Sequence, residues 1–221
     1  MEPAQNTFTL LNVFYDGGQF MYPLLICSLF ALGVMIAKAW TLWAAHRTSR
    51  SILDEAESLI KAGKVAEAVR RCEETPGPVA AILLSGLRRV QANDFKTEDV
   101  EKAVKTTGTI ELGFLERGLP ILATVSNVAP LLGFLGTVAG MISAFGAIEV
   151  AGQVEASLVA SGIKIALITT AAGLLIAIPV NIAYNFFVTR IDKLIAEMEE
   201  GAAKILALIW DMSDRKAAAK A

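Results

Sequence analysis

Three threonines are the only side chains whose type and position suggest chemistry. Thr137, Thr169 and Thr170 lie inside two long stretches, 118–148 and 165–189, that contain no Asp, Glu, Lys, Arg or His. A hydroxyl group donates and accepts hydrogen bonds, so it can relay or solvate a proton, but it holds no charge at neutral pH. A proton path made from this chain therefore requires a carboxylate from another protein.

Both stretches are long enough to cross a membrane. Residues 118–148 correspond to ~45 Å of helix, compared with a hydrocarbon core of ~30 Å. On antiparallel helices Thr137 lies ~16 Å from Ile148 and Thr170 lies ~18 Å from Leu158, which places both near the middle of the bilayer. A threonine in a membrane helix commonly bonds back to its own i−4 carbonyl. At this depth a polar path is an equally good interpretation.

Small residues surround the threonines. Gly133, Gly136 and Gly140 share one side of a helix, which lets a second helix approach backbone to backbone. Two prolines each remove a helical hydrogen bond, which indicates kinked packing or a hinge. The residues that we assign to helix packing or pore lining are Gly133, Gly136, Gly140, Gly173, Ala177, Pro130 and Pro179.

Two charged residues lie at the ends of apolar stretches. Asp16 precedes the first apolar stretch and is either a helix cap, the favoured interpretation, or a charge at a pore mouth. Lys164 precedes the third stretch and most simply extends its ammonium to the outer membrane interface. Both are weak candidates for a pore mouth.

The sequence gives no sign of an enzyme. No nucleophile–base pair, phosphate-binding loop or metal cluster stands out, and the only histidine, His46, lies among arginines after the first apolar stretch. A membrane enzyme would normally carry a histidine, carboxylate or metal ligand within its spans. We therefore expect no catalytic residue, metal or cofactor. The formal net charge of −2, with basic residues interleaved among acids, argues against nucleic acid as a partner.

Composition and charge order predict the topology. Hydrophobic residues make up 54% of the chain and the mean hydropathy is +0.53, which indicates a membrane protein in contact with lipid. Thirteen of the 20 Lys and Arg residues lie in 38–117 and six follow residue 189. The positive-inside rule therefore places these two segments in the cytoplasm and the N-terminus outside. The predicted segments are an extracytoplasmic N-terminus (1–16), three transmembrane helices (17–39, 118–148 and 158–188), a cytoplasmic segment (40–117), a periplasmic loop (149–157) and a cytoplasmic C-terminal helix (189–221).

The polar segments also show helical periodicity. Breaks are predicted at Gly63, at Thr75–Pro78 and at Asn93-Asp94. We expect the helix that begins near Thr97 to run without interruption into the second span, and the third span to continue into the C-terminal tail. The predicted fold is all-α, an integral membrane protein with long cytoplasmic helical extensions and no separate soluble domain.

Two long motifs resemble a known family. The segments 115–124 (LERGLPILAT) and 129–141 (APLLGFLGTVAGM) are similar to a second-span signature, and 166–179 (ALITTAAGLLIAIP) is similar to a third-span signature. These are motifs of the ExbB/TolQ/MotA proton-channel subunits of bacterial inner-membrane motors. The three-span topology is closest to the ExbB/TolQ branch.

The resemblance implies a ring-forming homo-oligomer, a homopentamer, whose second and third spans line a central pore. Within it would lie two single-span partners of the ExbD/TolR type, each with an essential membrane Asp. The pore threonines of the family carry over to Thr137 and Thr170, with Thr169 as their neighbour. Proton passage would rotate the pentamer relative to the partner dimer and pass force to a periplasmic effector such as TonB or TolA.

Two departures from the family leave the branch open. Many relatives carry a Glu where this chain has Ile165, and the usual Glu-Arg after the first span is Ala37-Lys38 here. ExbB, TolQ or another motor subunit all remain possible assignments, as do protons or sodium as the coupling ion. The competing hypothesis is a passive membrane scaffold whose threonines only pack helices. Dissipating the proton gradient separates the two, because only the output of a motor depends on that gradient.

Overall fold

The computed structural model describes residues 10–91 and 97–218, and these are almost entirely helical. No strand occurs among them, so the predicted all-α fold is confirmed. A 3-10 turn covers Gly18–Phe20. The α-helices are α1 (Leu10–Asp16), α2 (Met21–Lys61), α3 (Val65–Glu74), α4 (Pro78–Gln91), α5 (Thr97–Glu116), α6 (Leu119–Ala151) and α7 (Ala156–Ala218).

Three helical stretches are long and apolar enough to cross a membrane, which agrees with the predicted number of spans. They are Gly18–Trp43, Glu98–Ala151 and Val159–Asp211. The narrower bounds 17–39, 118–148 and 158–188 stay predictions, because α2 and α7 continue as helices well beyond them. The continuation of α7 into the tail was predicted from its apolar periodicity. The unbroken course of α2 to Lys61 was not.

The helix breaks within the polar segments fall where glycine and proline predict them. Gly63, with φ of +76°, lies in the turn between α2 and α3, and Gly77, with φ of +143°, precedes Pro78 at the start of α4. A positive φ is easily adopted only by glycine. Two predictions lie outside the described residues: the loop at Asn93-Asp94 and the part of the N-terminal segment before residue 10.

The prediction of an uninterrupted helix from Thr97 into the second span is wrong. Helix α5 ends at Glu116, and α6 begins at Leu119. Between them Gly118 has φ of +91°, a left-handed conformation that stops α5, and Pro120 follows in the first turn of α6. The combination of a glycine and a nearby proline is therefore a helix boundary here rather than a weak point within one helix.

The chain divides into two compact units. The first comprises Met1–Ile36 and Gly118–Asn185, and the second comprises Ala37–Arg117 and Phe186–Ala221, in each case as far as the structure describes them. The second unit has a hydrophobic core of its own, contrary to the expectation of no separate domain. Its fully buried side chains include Ile52, Ala56, Leu83, Leu87, Val100, Ile205 and Ile209.

Two polar features belong to the second unit. Cys72 lies in its core at 2% exposure, and burial raises the pKa of this thiol to about 11.

Lys38 is only 6% exposed and donates hydrogen bonds to the carbonyl oxygens of Leu115 and Arg117, the latter at 2.9 Å. These carbonyls lie at the C-terminal end of α5, where helical partners run out and the helix dipole is negative. Lys38 therefore caps α5.

Candidate functional site

The site begins with two rows of small residues in the first unit. On α6 the buried small residues are Ala129, Gly133, Gly136, Gly140 and Ala144. On α7 the buried small residues are Gly162, Ala166, Thr169, Gly173 and Ala177. Spacings of three and four residues place each row on one helix face. We call the contact between these rows the small-residue seam.

The helices of the seam touch backbone to backbone. A Cβ atom added at Gly133 would lie 2.9 Å from the carbonyl oxygen of Thr169, and one added at Gly173 would lie 2.6 Å from that of Ala129. At Gly140 the added atom would lie 2.9 Å from the carbonyl oxygen of Gly162. Only glycine fits at these positions, which is the arrangement that close packing of membrane helices requires.

Thr169 is completely buried in the seam. Its Oγ1 lies 3.0 Å from the carbonyl oxygens of both Ile165 and Ala166, so one hydroxyl hydrogen is shared between two acceptors of its own helix. A Cβ at Gly136 would come within 2.5 Å of this oxygen. Thr169 thus fills the space that the absent side chain of Gly136 leaves, and its hydrogen is directed to its own helix.

Thr170 differs from its neighbour because it reaches across the seam. Its Oγ1 donates a hydrogen bond of 3.3 Å to the carbonyl oxygen of Gly133 on α6, and the side chain is half-buried. The donated hydrogen leaves the lone pairs of the hydroxyl oxygen to accept from another donor. Among the three predicted threonines, Thr170 is the one whose hydroxyl hydrogen bond joins two spans.

Thr137 follows Gly136 and is half-buried on a neighbouring face of α6. Its hydroxyl donates to the carbonyl oxygen of Phe134, three residues earlier on the same helix. The hydrogen bonds of Thr137 and Thr169 therefore match the local pattern of threonine in membrane helices. As with Thr170, the oxygen of Thr137 keeps its capacity to accept a hydrogen bond.

The two predicted prolines lie within continuous helices. Pro130 adjoins buried Ala129 in α6, and Pro179 adjoins buried Val180 in α7. Neither ends its helix. Pro130 is half-buried and Pro179 is exposed.

The two charged candidates contact each other. Asp16 ends α1, and its Oδ2 lies 2.6 Å from Nζ of Lys164 near the start of α7. Their side chains are 42% and 58% exposed, so water screens the pair strongly. The two residues were interpreted separately from the sequence, because nothing in their spacing indicates the contact. Their role at a pore mouth stays a prediction.

The two stretches that contain the threonines, 118–148 and 165–189, carry no charged side chain. No group of three or more His, Cys, Asp or Glu side chains among them could hold a metal ion. Neither α6 between Leu119 and Ile148 nor α7 between Ile165 and Thr189 contains a carboxylate. The half-buried Thr137 and Thr170 can therefore offer hydroxyl oxygens to a passing ion, but these stretches of α6 and α7 offer no charge.

Sequence reasoning missed part of the seam. Gly133, Gly136, Gly140, Gly173 and Ala177 were predicted as packing residues, and all five are buried. Their partners Ala129, Ala144, Gly162 and Ala166 were not. The signal was present in α7, where small residues recur every three or four positions from Gly162 onward.

Comparison with known proteins places these observations in a family. A sequence model described as the MotA/TolQ/ExbB proton channel family matches residues 74–200. An ExbB-like biopolymer transport protein of Synechocystis sp. is 35% identical over 189 residues, covering 81% of this chain and 71% of that protein. The Tol-Pal system protein TolQ of Pseudomonas aeruginosa is 33% identical, covering 75% and 77%. The biopolymer transport protein ExbB of Pseudomonas putida is 30% identical, covering 86% and 58%.

Proposed function

This chain belongs to the MotA/TolQ/ExbB proton channel family, and we propose that it is the ring-forming subunit of an ion-driven motor in the bacterial inner membrane. In this proposal its N-terminus is periplasmic and its C-terminus cytoplasmic. The ion pathway follows Thr137 and Thr170, and Thr169 serves to pack the helices beside it. The chain acts by moving ions and force rather than by catalysing a reaction.

The observation that carries the proposal is the hydrogen bond from Thr170 to Gly133. It places a hydroxyl oxygen between two spans at a depth where lipid contact would favour a methyl group. The oxygen is oriented by its donated hydrogen and keeps its lone pairs for an incoming proton donor. A polar group at membrane depth that is both oriented and half-buried suits a pathway better than a lipid-facing surface.

The absence of charged side chains from 118–148 and 165–189 indicates what the partner must supply. A proton crossing the membrane needs a group that binds and releases it, and hydroxyls do not do so at neutral pH. We propose that a single-span protein of the ExbD/TolR type supplies an intramembrane Asp within a homopentameric ring of this chain. Rotation of the ring would then energise a periplasmic effector of the TonB or TolA type, as in TonB-dependent transport or a TolQ-like envelope process.

Valine substitutions test the pathway. Valine keeps the shape of threonine and removes the hydroxyl, so Thr137→Val and Thr170→Val should each abolish motor output in a complementation assay, with normal membrane insertion. Thr169→Val is the matched control, because its hydroxyl bonds only carbonyls of its own helix in the structure. We expect this control to retain output. Full output from both Thr137→Val and Thr170→Val would refute the pathway.

A passive scaffold is the second candidate function. It is favoured by the hydroxyls of Thr137 and Thr169, which donate to carbonyls of their own helices as packing residues do. A protonophore separates the candidates: collapse of the proton gradient stops the output of a proton-driven motor and leaves a scaffold unaffected. Replacement of sodium in the medium tests sodium coupling in the same assay.

A further inference from the structure

The second unit contains a groove that the proposed ion pathway does not use. Its volume is about 340 Å³, within the range of small-molecule sites. Helices α2 and α7 form it, and its lining residues are Ala39, Leu42, Trp43, Phe186, Phe187, Arg190, Lys193 and Leu194. Six of these side chains are apolar, two are cationic and none is acidic.

The groove lies where the apolar part of both helices ends. The stretch of α2 that is long and apolar enough to cross a membrane ends at Trp43, whose ring lies 6.2 Å from that of Trp40. On α7 the uncharged stretch ends at Thr189, and Arg190 is the first charged residue after it. Tryptophans concentrate at the boundary between hydrocarbon and water. With the predicted span bounds of 17–39 and 158–188, the groove combines an apolar wall with cations at the depth of lipid head groups.

The two cations are placed to bind a phosphate. The Arg190 guanidinium lies 5.2 Å from the centre of the Phe186 ring, a cation–π contact that orients its N–H groups. Lys193 follows at i+3, on the same side of α7. Neither side chain forms an ion pair with a carboxylate in the described part of the chain. Arginine binds phosphate through two parallel hydrogen bonds, and lysine binds it as a point charge.

We propose that this groove binds one anionic phospholipid. Its phosphate contacts Arg190 and Lys193, and an acyl chain covers Leu42, Trp43 and Phe186. Trp43 and Phe186 are 59% and 55% exposed, and a free phosphate would leave these rings uncovered. By the predicted topology the lipid comes from the cytoplasmic leaflet. The site is independent of proton passage, so its failure would leave the proposed function intact.

The test is native mass spectrometry of the full-length chain, delipidated in detergent and titrated with phosphatidylglycerol. Arg190→Gln with Lys193→Gln should lower the affinity about 25-fold, on the basis of about fivefold for each lost charge. Ala39→Trp should also lower it, because the indole fills the groove with both charges retained. Arg70→Gln with Lys102→Gln removes two cations of the same unit outside the groove, and should change nothing.

Four results would overturn the proposal. The first is unchanged phosphatidylglycerol affinity in the Arg190/Lys193 variant, or in Ala39→Trp should the first variant fail to fold. The second is equal affinity for phosphatidylcholine, which carries no net charge. The third is equal affinity for glycerol 3-phosphate, which would indicate a site for free phosphate. The fourth is the capture of a polypeptide instead of a lipid, in membranes, by a photo-crosslinker placed at position 39.

Discussion

The small-residue seam of the first unit and the core of the second unit are both closely packed, but with opposite kinds of residue. In the seam, Gly133 and Gly173 bring two backbones into contact without side chains between them. In the core, Leu83, Leu87 and Ile205 fill the space between helices and are at most 2% exposed. Both regions pack helices closely together, the seam in lipid and the core in water.

The solvent explains the difference. A leucine gains free energy by leaving water, about 25 cal/mol for each Å² of apolar surface buried, and this drives the core of the second unit. A leucine gains little by leaving lipid, since lipid tails are equally apolar. Membrane helices associate through close contact and polar bonds, and the seam supplies both through its glycines and through Thr170. Substitution by alanine should therefore destabilise both regions for opposite reasons, because it leaves a cavity in the core and overfills the seam.

The largest effect is expected from Leu83→Ala in the second unit. Leu83 is 0% exposed, and its truncation removes buried methyl groups and leaves a cavity. The expected loss in the free energy of unfolding is about 3 to 4 kcal/mol, measured by urea titration of the purified protein. Ile110→Ala is the control, because Ile110 is 53% exposed in the same unit. Equal losses from both variants would contradict the assigned core.

Enlarging the seam should also destabilise, by a smaller amount. Gly173→Ala places a Cβ 2.6 Å from the carbonyl oxygen of Ala129, so the helices must separate, at a cost of about 2 to 3 kcal/mol. Gly146→Ala on α6 meets nothing within 4 Å and should be slightly stabilising, since alanine is the better helix former. Thermal melting in detergent measures both. Matching melting temperatures in the two variants would remove the case for a backbone contact.

Removal of the Lys38 cap on α5 tests whether the second unit is stabilised by apolar burial alone. Lys38→Met keeps much of the length of the side chain and removes the donor to the carbonyls of Leu115 and Arg117. We expect a loss of about 1.5 kcal/mol in the free energy of unfolding. Lys105→Met is the control, because Lys105 is exposed and pairs only with Glu101 on the surface. A loss no larger than that of the control would show that the cap is not stabilising.

The smallest expected effect is a dependence of stability on pH. It should arise in the core of the second unit and not in the seam. The Cys72 thiol in the core has a pKa of about 11 because it is buried, compared with an ordinary value of 9.0. The unfolded thiol ionises first as pH rises, so stability is full below pH 9 and is lost progressively up to about pH 11. The loss at pH 10 should be about 1 kcal/mol.

Urea unfolding at pH 8 and pH 10 measures this loss, and Cys72→Val should abolish it. The seam should contribute no such dependence, because the hydroxyls of its threonines do not ionise in this range. A pH dependence that persists unchanged in Cys72→Val would assign it to another group.

Sequence patterns predicted the parts of the molecule that depend on near neighbours. The glycine spacing on α6, the turns at Gly63 and Thr75–Pro78, and the continuation of α7 all follow from residues a few positions apart. The contact of Lys38 with Leu115 spans 77 positions, and no local pattern indicates it. The same is true of the ion pair between Asp16 and Lys164.

At the candidate site, too, some properties of the threonines follow from the local sequence and others do not. Their depth and small neighbours can be read from spacing, since helix rise is fixed. Which hydroxyl bonds across the seam depends on the rotation of one helix against the other. That rotation gives the interhelical bond to Thr170 and the fully buried position to Thr169, although the two residues are adjacent in sequence.

The backbone contact at the glycines of the seam also has an electrical consequence. At Gly133 and Gly173 the helices leave no room for a methyl group, and therefore none for a water molecule, which needs a cavity of about 10 to 15 Å³. Within one chain, this close contact and the lack of charged side chains oppose the passage of an ion between α6 and α7 at these glycines. In the ion-driven motor proposed above, a dry glycine contact of this kind would oppose leakage of ions between the two helices without a moving gate.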